Sequence, residues 1–356
     1  MAKANWDIYK KLIQTPGTSG FEHEVRNVMR SYITPLTEEV VQDRLGGIFG
    51  VKKGDPAGPK VLVAGHMDEV GFMITTITKE GFLKFQTVGG WWSQVMLSQR
   101  VEVVTRSGKR IPGVIGSTPP HLLGPEQRKK PVDIAKMFID IGADSDATVK
   151  SWGVRPGDFA VPYCDFVEME GGKRLLGKAW DDRFGCGLAV ELLQHFQNEK
   201  HPNILYAGAT VQEEVGLRGA GTAANMIEPD VFFTADVGPA GDTPGIKDGF
   251  GELGKGVVIR IYDRSMIPLP AMRDFLLDTA ESMKIPYQFF VSQGGTDAGR
   301  VHQTGIGVPS AAIGICGRYI HSNVTVVDKE DIEAAREFAI ALVKNLDRST
   351  YETIIS

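Results

Sequence analysis

Apolar residues recur along this chain with two periods. Phe184, Leu188, Leu192 and Phe196 return every four residues, which predicts an amphipathic helix over 182–197. Phe21, Val25, Val28, Met29 and Tyr32 keep helical spacing after the loop Thr15-Pro16-Gly17-Thr18-Ser19-Gly20, so 5–34 reads as two helices. Further helices are predicted near 271–283 and 329–346, the last with Ile332, Ala335, Phe338, Ala339 and Leu342 on one face. Between the helices stand apolar runs of strand length at 60–65, 203–211, 230–235 and 308–315, and 257–261 and 287–291 are further strand candidates. Runs of that kind, bounded by turn residues, belong to strands covered on both faces.

The texture changes from about 71 to 165. Short β-rich pieces at 72–77, 82–88, 100–105, 111–115 and 159–167 alternate with glycine turns, and Ser107-Gly108-Lys109 fits a hairpin turn. Only 131–136 suggests a short helix, and 119–130 reads as a surface loop rich in Pro, Gly and charge. This predicts an α/β domain made of 1–71 and 166–356, interrupted by a small β-barrel or sandwich over 72–165. The length of 356 residues suits two such units.

Composition excludes several classes of function. Lys and Arg number 39 against 44 Asp and Glu, for a net charge of -5, and the one basic block is Arg128-Lys129-Lys130. Nucleic acid is therefore not an expected partner. Three widely spaced cysteines, Cys164, Cys186 and Cys316, form neither a CxxC pair nor a disulfide framework. With no signal peptide ahead of Trp6 and no run of membrane-spanning length, a cytoplasmic protein away from the membrane is expected.

The candidate chemistry follows the strands. His66 and Asp68 come after the run at 60–65, Glu213 and Glu214 after that at 203–211, and Asp236 after that at 230–235. Arg318-Tyr319-Ile320-His321 follows the run at 308–315, and Asp181-Asp182 opens the helix over 182–197. Ligands of open α/β sheets bind beyond the carboxyl ends of the strands. Each residue alone has an ordinary reading: a structural histidine, a helix cap at Asp181 or Asp182, a turn at Asp236, a solvated acidic pair at 213–214. Two histidines and several carboxylates all falling at strand ends make a metal site the competing one. Imidazole with carboxylate and no thiolate suits zinc, cobalt or manganese. The surplus of carboxylates over what one tetrahedral ion needs would fit a pair of ions and a spare general base for hydrolysis.

Six motifs in order, Gly65-His66-Met67-Asp68-Glu69-Val70-Gly71, Asp181-Asp182-Arg183, Gln212-Glu213-Glu214-Val215-Gly216, Asp236-Val237-Gly238, Gly294-Gly295-Thr296-Asp297-Ala298 and Arg318-Tyr319-Ile320-His321-Ser322, carry a likeness to a known family. It resembles the dinuclear-metal aminopeptidases of the glutamyl-aminopeptidase and tetrahedral (TET) family, some of whose members carry endoglucanase labels. The resemblance spans almost the whole chain and implies a mixed central sheet flanked by helices. It implies one divalent cation on His66 and Asp236 and another on Glu214 and His321, with Asp181 bridging them. Glu213 would be the general base and Asp68 the partner that orients His66, and the Asp181–Asp182 peptide would be cis. The expected substrates are peptides with a free N-terminus. The insertion would be a dimerisation module, with 119–130 near a subunit contact, and dimers would build a homo-oligomeric tetrahedral dodecamer. Other readings are a related deacylase or carboxypeptidase, a glycoside hydrolase using two carboxylates, and a non-enzymatic scaffold.

Overall fold

The apolar runs become strands of one eight-stranded mixed sheet in a computed structural model that describes residues 4–356. In chain order, β1 (Glu39–Gln42), β2 (Ile48–Lys53) and β3 (Lys60–His66) lead into six short strands. These are β4 (Gly71–Ile77), β5 (Leu83–Val88), β6 (Arg100–Val104), β7 (Arg110–Gly116), β8 (Phe138–Asp140) and β9 (Phe159–Pro162), and they close into an antiparallel barrel. After β10 (Val167–Glu168) and β11 (Arg174–Gly177) the main sheet resumes with β12 (Ile204–Thr210), β13 (Val231–Pro239), β14 (Val257–Tyr262), β15 (Tyr287–Val291) and β16 (Ser310–Gly317). β17 (Thr325–Asp328) pairs with β11 in a separate three-stranded sheet.

The spatial order of the main sheet is β1-β2-β12-β3-β13-β16-β14-β15. β12, β3, β13 and β16 are neighbours and mutually parallel. Four carboxyl ends therefore share one edge, and helices cover both faces, as a parallel run requires. The register pairs Thr210 with His66, so β12 stops level with the histidine.

Several expectations need correcting. The helix Trp180–His195 is buried around almost its whole surface rather than amphipathic, because it lies against β3, β12 and β13 and under the helices Trp6–Gln14 and Lys329–Asn345. Asp236 lies inside β13, which runs on to Pro239, rather than beyond the end of a strand. The segment 119–130 is not irregular throughout: it carries a 3₁₀ turn at Pro120–Leu122 and a short helix at Pro125–Arg128. A helix at Asp146–Ser151, started by Ser145 accepting from the Thr148 amide, has too few apolar residues to show a period. The helix Arg218–Ile227 was also unforeseen, since it buries small residues such as Gly219, Ala220 and Gly221 instead of a large apolar stripe.

The barrel has its own core, centred on Phe72, Leu83, Val101, Val103, Ile115 and Ile139. It is separate from the larger core beneath the helices of the main sheet.

Candidate metal centre

The floor of the site is a buried charged network. Lys178 Nζ donates to Glu69 Oε2 at 2.6 Å, and Arg183 donates to the carbonyls of Met67 (2.7 Å), Thr15 (2.7 Å) and Gly17 (3.0 Å). Burial lowers the Lys178 ammonium, and Glu69 opposes that. These bonds pin the loop 15–20 against the end of β3 and deliver Ser19, whose hydroxyl donates to Asp68 Oδ2 at 2.6 Å.

Asp68 is a hub. Besides Ser19 it accepts from the amides of Glu213 (3.0 Å) and Glu214 (3.1 Å), and its Oδ1 lies 3.5 Å from His66 Nδ1. Burial would raise its carboxyl, but His66, Ser19 and the Glu213 amide hold it below the usual range. One residue thus fixes both parts: its carboxylate holds the backbone of the acidic pair, and its backbone carbonyl takes the His66 Nδ1 proton. Gln212, at φ +56, turns the chain just before that pair, and the Gly216 and Leu217 amides donate back to the Glu213 carbonyl. The pair therefore sits on a tight turn, not on a continuing extended strand.

Around this hub the predicted residues converge. His66, Asp181, Glu213, Glu214, Asp236 and His321 line one cavity of about 220 Å³. Asp181 Oδ1 is 3.3 Å from His66 Nε2, and its Oδ2 is 3.3 Å from His321 Nε2. Glu214 Oε2 is 3.4 Å from His321 Nε2, and Glu213 Oε2 is 3.9 Å from His66 Nε2. His66 Nδ1 donates to the Asp68 carbonyl at 3.0 Å, and His321 Nδ1 to the Gly90 carbonyl at 3.0 Å. Both imidazoles are thereby oriented with Nε2 toward Asp181.

The adjacent aspartates divide their work. Asp182 accepts from the His66 amide (2.9 Å) and the Gly185 amide (2.9 Å), so it caps the helix and ties it to β3. Asp181 is left to face the cavity, and the peptide between the two is cis. Asp182 Oδ atoms also lie within 4.8 Å of donor atoms on His66 and Asp236, as Asp181 does with His66 and Glu214. The Gly294-Gly295-Thr296-Asp297-Ala298 motif plays a supporting part: Asp297 Oδ2 accepts from Thr210 Oγ at 2.5 Å, tying the helix Asp297–His302 to the end of β12. Behind Asp236, Arg260 Nη2 lies 4.0 Å from Oδ2.

The electrostatics favour a cation. Burial pushes the Glu213 carboxyl well above its usual range, with His66 opposing and Asp236 and Glu214 adding. Burial also drives Glu214 up to about 8 and raises Asp236. Burial opposes charge on His321, yet Asp181 and Glu214 raise the imidazole to about 10. Crowded acids of this kind are relieved by positive charge placed among them. The spacing fits as well. Tetrahedral ligation with cation–ligand lengths of ~2.0–2.1 Å sets two donors about 3.3–3.4 Å apart, which matches the 3.3, 3.3 and 3.4 Å separations around Asp181 and His321. The donors are imidazole and carboxylate; the buried Cys186 thiol instead donates to the His66 carbonyl at 3.1 Å.

Ser19 and Gly90 escaped the sequence reading. Neither bears a motif of its own, and each reaches the site only through tertiary contact.

A mixed α/β sheet carrying this cluster at its carboxyl edge defines a metallohydrolase of the peptidase type. The comparisons give the family. Residues 46–338 match the M42 glutamyl aminopeptidase family. The glutamyl aminopeptidase of Lactococcus lactis is 40% identical over 96% of this chain and 96% of its own. Among solved structures, the TET aminopeptidase of a marine-sediment Thaumarchaeota archaeon superposes with a TM-score of 0.95 at 45% identity, covering 98% of both chains. The Pyrococcus horikoshii TET1 peptidase, which can assemble into a tetrahedron or a large octahedral shell, has a TM-score of 0.86 at 34% identity over 96% of this chain and 99% of its own. The chain belongs to the M42 metallo-aminopeptidase family.

Proposed function

We propose that the protein is a two-cation aminopeptidase that removes N-terminal residues from peptides. One cation would sit on His66 and Asp236 and the other on Glu214 and His321, with Asp181 shared. The observation that carries this reading is the Asp181 carboxylate, each of whose oxygens lies 3.3 Å from the Nε2 of a different histidine. Zinc or cobalt suits the donor set best, and manganese is also compatible with it.

When bound, the cations supply electrophilic charge that acidifies water and offsets charge developing on the scissile carbonyl oxygen. Glu213 Oε2 lies 3.9 Å from His66 Nε2, farther than the 3.3 Å contacts of Asp181, and it faces the same cavity. Its carboxylate accepts the proton of the attacking water and returns it to the leaving amine. Asp68 keeps the Glu213 and Glu214 amides and the His66 ring in register for that transfer. A free α-amine would dock against the acid-rich wall, which selects chain ends.

Assembly through the barrel is part of the proposal. The P. horikoshii relative can form a tetrahedron, and dimers joined through this chain's barrel would build the corresponding dodecamer. Sedimentation of the cation-loaded protein should give a species far above the 38.8 kDa of one chain; monomer alone under all cation conditions would contradict it.

The deciding assay uses unblocked and N-acetylated aminoacyl anilides before and after chelation. Hydrolysis of the unblocked series only, lost with EDTA and regained with zinc or cobalt, is the expected result. A deacylase would accept the blocked series, and a glycoside hydrolase would be indifferent to chelation.

A further inference from the structure

The two histidines are oriented by different parts of the molecule. The carbonyl that takes the His66 proton belongs to Asp68, two residues along the same strand end. The carbonyl that takes the His321 proton belongs to Gly90, which lies in the loop between β5 and β6 of the inserted barrel, 231 positions away in sequence. This loop is shaped for close approach. Gly89 has φ +82, and a Cβ there would stand 2.7 Å from Val70 Cγ1 and 3.3 Å from Glu214 Oε2. A Cβ on Gly90 would stand 3.2 Å from His321 Nδ1. Two successive glycines thus lie against Glu214 and His321, where a larger residue would push into the proposed ligands. The loop is also anchored: the Trp91 ring stacks on Phe72 at 4.6 Å between centroids, and its Nε1 donates to the Gly71 carbonyl at 3.2 Å.

We propose that the Gly89-Gly90-Trp91 loop of the barrel is a positioning element of the metal centre. The Gly90 carbonyl sets the tautomer and direction of His321, so the cation site of Glu214 and His321 is completed only by the inserted domain. This rests on the two-cation reading above, and it assigns the barrel a duty in ligand geometry that is separate from any part in assembly. A carbonyl or carboxylate accepting the second N–H of a ligating imidazole raises its basicity and fixes its orientation, and losing such a partner weakens binding by ~10–100-fold.

The test counts zinc on the full-length protein titrated with a chelating buffer. Wild type should hold two classes of zinc. Gly90→Ala should weaken one class by ~10–100-fold and leave the other at wild-type affinity. Gly108→Ala, in the same barrel at φ +79 with nothing within 4 Å of the added Cβ, should keep both. In a His321→Ala background, which already lacks the weakened class, Gly90→Ala should add no further loss. Unchanged binding in Gly90→Ala, equal weakening of both classes, or additivity with His321→Ala would overturn the proposal. Should Gly90→Ala not fold, Trp91→Phe decides by the same criteria, with a several-fold loss expected in the same class alone. A wild type that binds fewer than two zinc ions would instead refute the two-cation reading, which keeps the two failures distinct.

Discussion

His66 and His321 present Nε2 to the same carboxylate at the same 3.3 Å, yet their side chains are 3% and 38% exposed. His66 ends a strand whose neighbours on both sides are parallel, with its amide held by Asp182 and its ring by Asp68. His321 stands in a loop after β16, at φ +55, and its ring is held from across the molecule by Gly90. The first half of the centre is sealed within the main sheet and its helices; the second depends on a contact from the inserted barrel. A buried ligand whose partners are also buried has little freedom to turn, whereas an exposed one relies on each remaining contact. On the two-cation reading, a cation held by the His321 half is accordingly expected to exchange faster.

The largest effect should come from the residue that serves the reaction without serving either half as a ligand. Glu213→Gln should lower kcat by ~10²–10⁴-fold with zinc content unchanged; an active variant would sink its role as base. Next come the histidines. His66→Ala and His321→Ala should each remove one class of zinc, but only the former should unfold much more easily. We expect roughly 2–5 kcal/mol for the buried ring and less than ~1 kcal/mol for the exposed one, read by denaturant unfolding in metal-free buffer. Equal losses would break the contrast between the halves.

Ser19→Ala probes the sealed half more gently. Removing the 2.6 Å donor to Asp68 should cost ~10–100-fold in kcat/KM and weaken the His66 class of zinc at least as much as the His321 class, whose Glu214 amide Asp68 also holds. The reverse pattern would show that the loop 15–20 serves the wrong half. The smallest expected effect is on pH dependence. Glu22 accepts from the Gln212 amide at 3.1 Å beside this half, and burial, with Asp68 adding, raises its carboxyl from 4.5 to about 7. A carboxyl raised on folding binds its proton more tightly in the folded state. Its contribution is full below pH 4.5 and is lost as pH rises to about 7. Glu22→Gln should flatten the fall in stability across that window; an unchanged slope would remove Glu22 as its source.

Much of the frame was legible because burial leaves a mark on composition. β3, β12, β13 and β16 are apolar without alternation because helices cover both faces, and that reads directly from the chain. The barrel was legible as a change of texture. β1, with side chains exposed or half-buried, and the four-residue β11 left no such mark. Neither did the helix Arg218–Ile227, whose packing uses small residues. In the site, motif order brought forward His66, Asp68, Asp181, Glu213, Glu214, Asp236 and His321, and all seven do meet at one edge of the sheet. Residue type and spacing alone left either member of Asp181-Asp182 as a helix cap; the resemblance pointed to Asp181 as the ligand, and the His66 and Gly185 amides, both donating to Asp182, leave Asp181 facing the cavity.

The sequence by itself therefore determined the family, the two-part architecture and the residue types of the centre, since these depend on local pattern and motif order. Tertiary structure alone decided which strands became neighbours. It also decided that Ser19 would reach Asp68 and that a barrel glycine would hold His321. The reason is physical. A hydrogen bond to a backbone carbonyl or from a lone hydroxyl requires only that the two groups meet, and proximity between positions far apart in the chain leaves no period, charge pattern or composition for a sequence to display.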